Sequence, residues 1–241
     1  MICSGGGRGN TGAFVHPYYS IKRLKVIIAP TEHPVTLEEV KAWLGGSIPA
    51  SDDAMLSGLI AAATNAVEEY CRRKLMSTGL RATLDAWPAN ASPAFEGMRQ
   101  GPVNDGVARA LSLHKPPLIS VEEVRYLGDD NASTIYDASN YFVDNSDPDQ
   151  YGRLVLNDGA DIPHGMRNAA SVEVDYTAGY GGAADVPFAI RQAILMVIAN
   201  MYGNRGDCNI GDGINSRGGV LNPLEASGAA GILEPYRVLR I

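Results

Sequence analysis

Cysteine is scarce in this chain: Cys3, Cys71 and Cys208 are the only three in 241 residues. They are odd in number, far apart and form no CxxC pair, so neither a disulfide framework nor a zinc motif follows, and a reducing compartment fits best. Long apolar runs are also missing. The longest strict one, Ala193 to Ala199, is far short of the roughly 18 to 20 residues of a membrane span, and no membrane association is expected. The N-terminal "SGGGRGNTG" has neither the apolar stretch nor the cleavage site of a signal peptide. The histidines His16, His33, His114 and His164 fall in no HExxH or HxH pattern, and metal is not expected. There is no GxSxG elbow and no GK[ST] phosphate loop. No catalytic constellation survives, so the expectation is a protein that is not an enzyme and holds no cofactor. A net charge of −7 argues against a broad basic face that coats nucleic acid.

What is present describes a folded chain. Apolar residues make up 45% and charged residues 20%, which suits a buried core and excludes a disordered polymer. Residues 1–30 read as an arm, with Arg8, Lys22, Arg23 and Lys25 unbalanced by any acid until Glu32. Such an arm is either a flexible tail or a basic segment touching protein or DNA. The sequence "TLEE" then carries a capping box, Thr36 with Glu39, before a helix that Gly45-Gly46 ends. A longer helix follows Ser51-Asp52-Asp53 and runs to about Leu75, with Leu56, Ile60, Ala63, Val67 and Cys71 at helical spacing. Glu68–Arg72 and Glu69–Arg73 are four apart in the favourable order, and Cys71 is expected in the core. The two helices are expected to pack as an antiparallel pair.

The pattern then changes to strands: 80–87, 108–114, 121–127, 141–144, 152–157 and 171–177, separated by turn residues. In the last, Val172, Val174 and Tyr176 face one way and Glu173 and Asp175 the other. Residues 89–106 form a long loop. The stretch "AGYGGAAD" lacks the spacing of a dinucleotide fingerprint, so its glycines are expected to serve a tight turn with positive φ. "DNSDPDQYG" misses the acid spacing of a calcium loop. A third helix begins at Pro187 with Asp185 as its cap, and from Phe188 to Tyr202 only Arg191, Gln192 and Asn200 are polar. A helix apolar nearly all round needs cover on most sides, and a neighbouring subunit is a natural source. A short helix around 223–230 and the tail "ILEPYRVLRI" close the chain.

The resulting expectation is an α+β fold: a helical core of three to four helices with a β-rich insertion between helix 2 and helix 3. Its segments are the arm (1–30), a helical pair (31–78), the β-rich stretch (79–184) and C-terminal helices with a tail (185–241). Five stretches, "PVTLEEVKAWL", "DDAMLSGLIAAATNAVEEYCRRKL", "PPLISVEEVRYL", "VDYTAGYGGAADVPFAIRQAILMVIANMYGNRG" and "ILEPYRVLRI", follow one another in this order. The set resembles the head–tail connector proteins of tailed bacteriophages and phage-like gene transfer agents, also called adaptor or head-completion proteins. The likeness covers about residues 26–241; such proteins usually begin near "VIIAPTEHPVTLEE", which makes residues 1–25 an extension.

The resemblance implies a homo-oligomeric ring, typically a dodecamer, beneath the portal in the neck of a virion or phage-like particle assembled in the bacterial cytoplasm. It implies no catalysis. Its partners would be copies of itself, the portal protein and the next neck or tail protein (a stopper or tail terminator), with DNA passing through without sequence-specific binding. For portal contact the tail residues Leu233, Pro235, Tyr236, Arg237, Val238, Leu239 and Arg240 are the expected set, because Tyr and Arg are favoured anchors and proline limits the entropy lost on docking. The alternative is that this tail folds back on its own chain. Arg191, Met201 and Tyr202 are the expected ring contacts. The competing function is a DNA-packaging protein that binds DNA directly through the basic arm.

Overall fold

The computed structural model describes residues 23–85, 110–157, 159–161, 163–205 and 222–238. It is α+β, with helices and strands gathered around two separate apolar clusters. The expected loop over 89–106 lies outside the described residues.

The helical part begins at α1 (Leu37–Leu44). Thr36 Oγ1 accepts the Glu39 N–H at 3.2 Å and Glu39 Oε2 accepts the Thr36 N–H at 2.8 Å, so the box satisfies two of the donors a helix start leaves open. α2 (Asp53–Cys71) buries Leu56, Ile60, Ala63, Val67 and Cys71, one stripe recurring every three to four residues. It stops earlier than expected. Arg72 adopts a left-handed conformation, φ 58°, which turns the chain and takes Arg72 and Arg73 off the helix surface. The anticipated helical ion pairs therefore do not form: Glu68 pairs with Lys74, and Glu69 with Lys115 at 2.7 Å. α3 (Phe188–Gly203) packs on α1 and α2, and α4 (Pro223–Ala226) with α5 (Ala229–Leu233) completes this layer. Asp185 does not cap α3. Its carboxylate accepts the Gly182 N–H at 2.9 Å in a 3-10 turn just upstream, and Pro187 stands at the N-cap with no side-chain bond.

The strands form two sheets. β1 (Arg23–Ile28), β2 (Thr78–Leu84), β4 (Leu118–Leu127), β5 (Ser133–Ile135) and β8 (Val172–Ala178) make an antiparallel sheet of order β1-β2-β8-β4-β5. β3 (Ala110–Leu113), β6 (Tyr141–Asp144) and β7 (Gly152–Leu156) make a second, of order β3-β7-β6. Leu80, Leu113, Leu154 and Val174, drawn from both sheets, share one buried cluster. On β8 the expected alternation holds: Val172, Val174 and Tyr176 are buried, while Glu173 and Asp175 lie on the other face. There Arg81 grips Asp175 through two bonds of 2.6 and 2.7 Å, and Arg125 adds a third.

Two departures concern sheet edges. Residues 23–28 were expected in an arm, yet they pair with β2 in register Arg23↔Thr83 to Val26↔Leu80. Gly79 makes this possible: a Cβ there would meet the Ile28 Cβ at 2.8 Å. Because β1 precedes α1, the larger sheet is not drawn solely from the stretch between α2 and α3. The second departure is β5, a three-residue strand too short to show a period.

The two layers meet at the glycine turn. Gly179 has φ 130°, and a Cβ on it would lie 2.2 Å from the Met76 carbonyl oxygen. Backbone bonds Tyr180 N–H to Leu75 O (3.1 Å) and Ser77 N–H to Gly181 O (2.9 Å) fasten the turn to the chain leaving α2, and Gly179 N–H to Pro117 O (2.8 Å) ties it to the start of β4. The turn is a structural joint, as its sequence suggested.

Candidate functional site

The C-terminal segment is clasped by the end of α2. The left-handed turn at Arg72 leaves the Cys71 carbonyl free to accept the Val238 N–H at 3.1 Å. The Arg73 side chain, fully buried, spreads three ways. Its Nε donates to the Tyr236 carbonyl at 2.6 Å, and its terminal nitrogens donate to the carbonyls of Pro148 at 3.0 Å and Asp149 at 3.2 Å. The Asp149 carboxylate sits 3.0 Å away as counter-charge. One guanidinium thus ties the helix, the tail and the loop between β6 and β7, and its donors are satisfied as a buried charge requires. Tyr70 donates to Glu234 at 2.8 Å, which raises the Tyr70 pKa, and Arg237 lies over the Tyr70 ring at 5.3 Å. Burial pushes the Cys71 thiol up to about 11, so it behaves as an apolar core residue.

The expected portal-contact residues divide accordingly. Leu233 and Val238 are buried in the chain's own core, Tyr236 and Arg237 are half-buried, and Pro235 is exposed. Leu239 and Arg240 lie outside the described residues. The expected ring contacts are also engaged within the chain. Arg191 pairs with Glu39, Met201 packs on the helical core, and Tyr202 donates to Asp52 at 2.7 Å. The Arg205 guanidinium stacks over the Tyr202 ring at 3.8 Å. The Tyr202 bond holds the Asp52 carboxyl below its ordinary value and raises the phenol. α3 itself is buried along one stripe, Ile190, Ala193, Ile194, Val197 and Ile198, and half-buried elsewhere, with Phe188 75% exposed.

The larger apolar exposure lies on the sheet. All six residues of β1 are exposed, and Val26 at 44% and Ile28 at 66% are open to solvent. At the other edge Ile135 on β5 is 67% exposed. Sequence reading missed this pair of edges and the role of Arg73. The alternation in "RLKVII" was a signal for β1, masked by its two cations; nothing local marked Arg73.

The residues of chemical interest stand apart from one another. The His114 carbonyl accepts the Tyr176 hydroxyl at 2.7 Å and its ring leans on Tyr151, while His33 and His164 are exposed. Asp144, the last residue of β6 where the acidic loop begins, accepts from Ser146 at 2.7 Å and from Arg153, which together bring its pKa down to about 2. Among the described residues no group of three or more His, Cys, Asp or Glu side chains is placed to hold a metal ion, and no helix is long and apolar enough to cross a membrane.

These features define an α+β chain whose side-chain geometry is organised around joints and edges. Residues 34–100, which include α1, α2 and β2, match the model of a family described as Phage gp6-like head-tail connector protein. The head–tail connector resemblance is thereby met over that segment. Among solved structures, a chain from the neck of an empty GTA particle computed with C6 symmetry is 23% identical with a TM-score of 0.65, the alignment covering 91% of this chain and 97% of that one. A chain from the virion of a native gene transfer agent (GTA) particle is 22% identical with a TM-score of 0.64, over 90% and 96%. A chain from the neck of a native GTA particle computed with C12 symmetry is 22% identical with a TM-score of 0.64, over 91% and 97%. At this identity the likeness shows a shared fold. No curated protein matches the chain.

Proposed function

We propose that the chain is a structural head–tail connector subunit in the neck of a virion or phage-like particle. It forms a ring beneath the portal, extends the DNA channel and offers the platform on which the next neck or tail protein docks. The observation that carries this reading is the family match over residues 34–100, joined to a fold shared along almost the full length of both chains with subunits of particle necks. In this reading the helical layer is the body. The strand-rich stretch between α2 and α3 elaborates it, with β1 adding an outer edge. A net charge of −7 repels phosphate and lets DNA slide past.

Portal contact is assigned to the outer side of the clasped tail, Pro235 and Arg237, continuing into Leu239 and Arg240. Tyr236 supports it, while Leu233 and Val238 hold the tail in place from within. Ring contact is assigned to the rim of α3 around Arg191, Met201 and Tyr202, with the exposed Phe188 beside it. Many such weak contacts acting together can seat a ring firmly.

The test is loss of the chain in cells that make the particle. Heads without attached tails are the expected product, and a normal yield of tailed particles overturns the reading. Removing residues 239–241, which leaves Glu234, Tyr236 and Val238 in the chain, is expected to weaken portal binding. Cutting after Glu234 is the less informative variant, since it also strips Val238 from the core and the Tyr236 carbonyl from Arg73.

A further inference from the structure

The larger sheet ends in two unlike edges. β1 and β5 are terminal strands, separated by β2, β8 and β4, so they cannot meet within one chain. Each leaves backbone donors and acceptors on its outer side without a strand partner among the described residues, which is a template for further pairing. β1 carries Arg23 and Lys25 and no acid. The β5 edge is flanked by Asp129, Asp130 and Asp137, all exposed, and no Lys or Arg lies between 128 and 140. Arg167 is the neighbouring cation there, donating to Asn131 at 3.0 Å and to the Ala170 carbonyl. Asp130 and Asp137 also accept backbone N–H groups at Ala132 and Ser139, which fixes their carboxylates at the edge. Exposed apolar side chains accompany both edges, Leu24 and Val26 on β1 and Ile135 on β5.

The geometry points to a second copy of this chain as the occupant: the basic β1 edge of one subunit pairs with the acidic β5 edge of the next. Such a contact is head-to-tail, the type that generates closed rings when the rotation between copies closes. Strand addition supplies the affinity through main-chain bonds, and the opposite charges select this pairing over β1 with β1 or β5 with β5. The inference rests on the ring reading above and adds an interface to it.

The test uses the full chain with Cys3→Ser and Cys208→Ser, to which Leu24→Cys or Val26→Cys is combined with Thr134→Cys. Sedimentation reports assembly, and a non-reducing gel after mild oxidation reports which edges touch. Paired strands bring opposed Cα atoms within the reach of a disulfide, about 4.4–6.8 Å. Expected is a ladder of covalent multimers from one of the double variants, little or no covalent product from any single variant, and loss of assembly with Arg23→Glu plus Lys25→Glu. Oligomers in solution with no ladder from either double variant overturn the edge pairing and leave the ring intact. Strong dimers from Val26→Cys alone overturn it in favour of like edges. A chain that stays monomeric and unlinked at its highest soluble concentration overturns the pairing too, and the ring is then judged by the particle neck alone.

Discussion

The helical layer and the larger sheet handle their apolar surface in opposite ways. The helices close largely on themselves, Phe188 and Trp43 apart: α5 delivers Leu233 to the core, the tail returns Val238 to α2, and Arg73 locks the joint from inside. Among the described residues the sheet does not close. Its buried face ends in β1, whose six residues are all exposed, and in β5, where Ile135 faces solvent. On the edge-pairing proposal, the buried side chains of both clusters set whether the chain folds, and the exposed sheet edges add a surface through which copies join.

Substitutions can break that division. The largest effect is expected from Arg73→Ala. It leaves three part-buried carbonyls at the clasp without their donor, and an acceptor stripped of its partner in this way costs about 1–3 kcal/mol. Urea unfolding should show this loss, together with release of the tail as faster amide exchange at Val238. Leu233→Ala, which opens a cavity in the helical core, should cost about 2–5 kcal/mol by the same measurement. Thr36→Ala removes one half of the capping box and should cost about 1 kcal/mol. Val26→Ser on β1 should move folding stability by no more than about 0.5 kcal/mol, as surface changes do, while reducing self-association in sedimentation. A large stability loss there with unchanged association would reverse the assignment of the two regions.

The smallest effect sharpens the picture for the acidic loop. The Asp144 pKa is depressed in the folded chain to about 2, below the roughly 3.9 of a free aspartate. Its contribution to stability is therefore full above about pH 4 and is lost as pH falls through 2. Asp144 is close to solvent, so screening keeps the effect small. Acid titration of unfolding for Asp144→Asn should show a slightly flatter curve than the parent in that window, with the variant slightly less stable at neutral pH and the two converging as pH falls to about 2.

How much of this was legible in the chain depends on how local the cause is. The Thr36–Glu39 box, the Gly45-Gly46 stop, the alternation of β8 and the positive-φ glycines at 179 and 181 are decided by near neighbours, and each could be read directly. Cys71 was legible as core from its place on the α2 stripe. β1 was not, because what makes it a strand is β2 and the missing Cβ of Gly79, some fifty residues away. The end of α2 was misplaced because Arg72 takes a left-handed turn that its residue type does not announce. Arg73 looked like half of a surface ion pair; only tertiary packing turns it inward to the tail. For the candidate surfaces the same rule holds. The tail was recognisable by composition, but which of its side chains face outward depends on contacts with Tyr70, Cys71 and Arg73.

The most direct measurement is a reconstruction of the neck of a particle that carries this chain with a small internal label. The account predicts a ring of labelled copies between portal and tail, each with its tail still clasped to α2 and with the β1 edge of one copy beside the β5 edge of the next. A neck from which the label is absent, with intact tails attached, would contradict it.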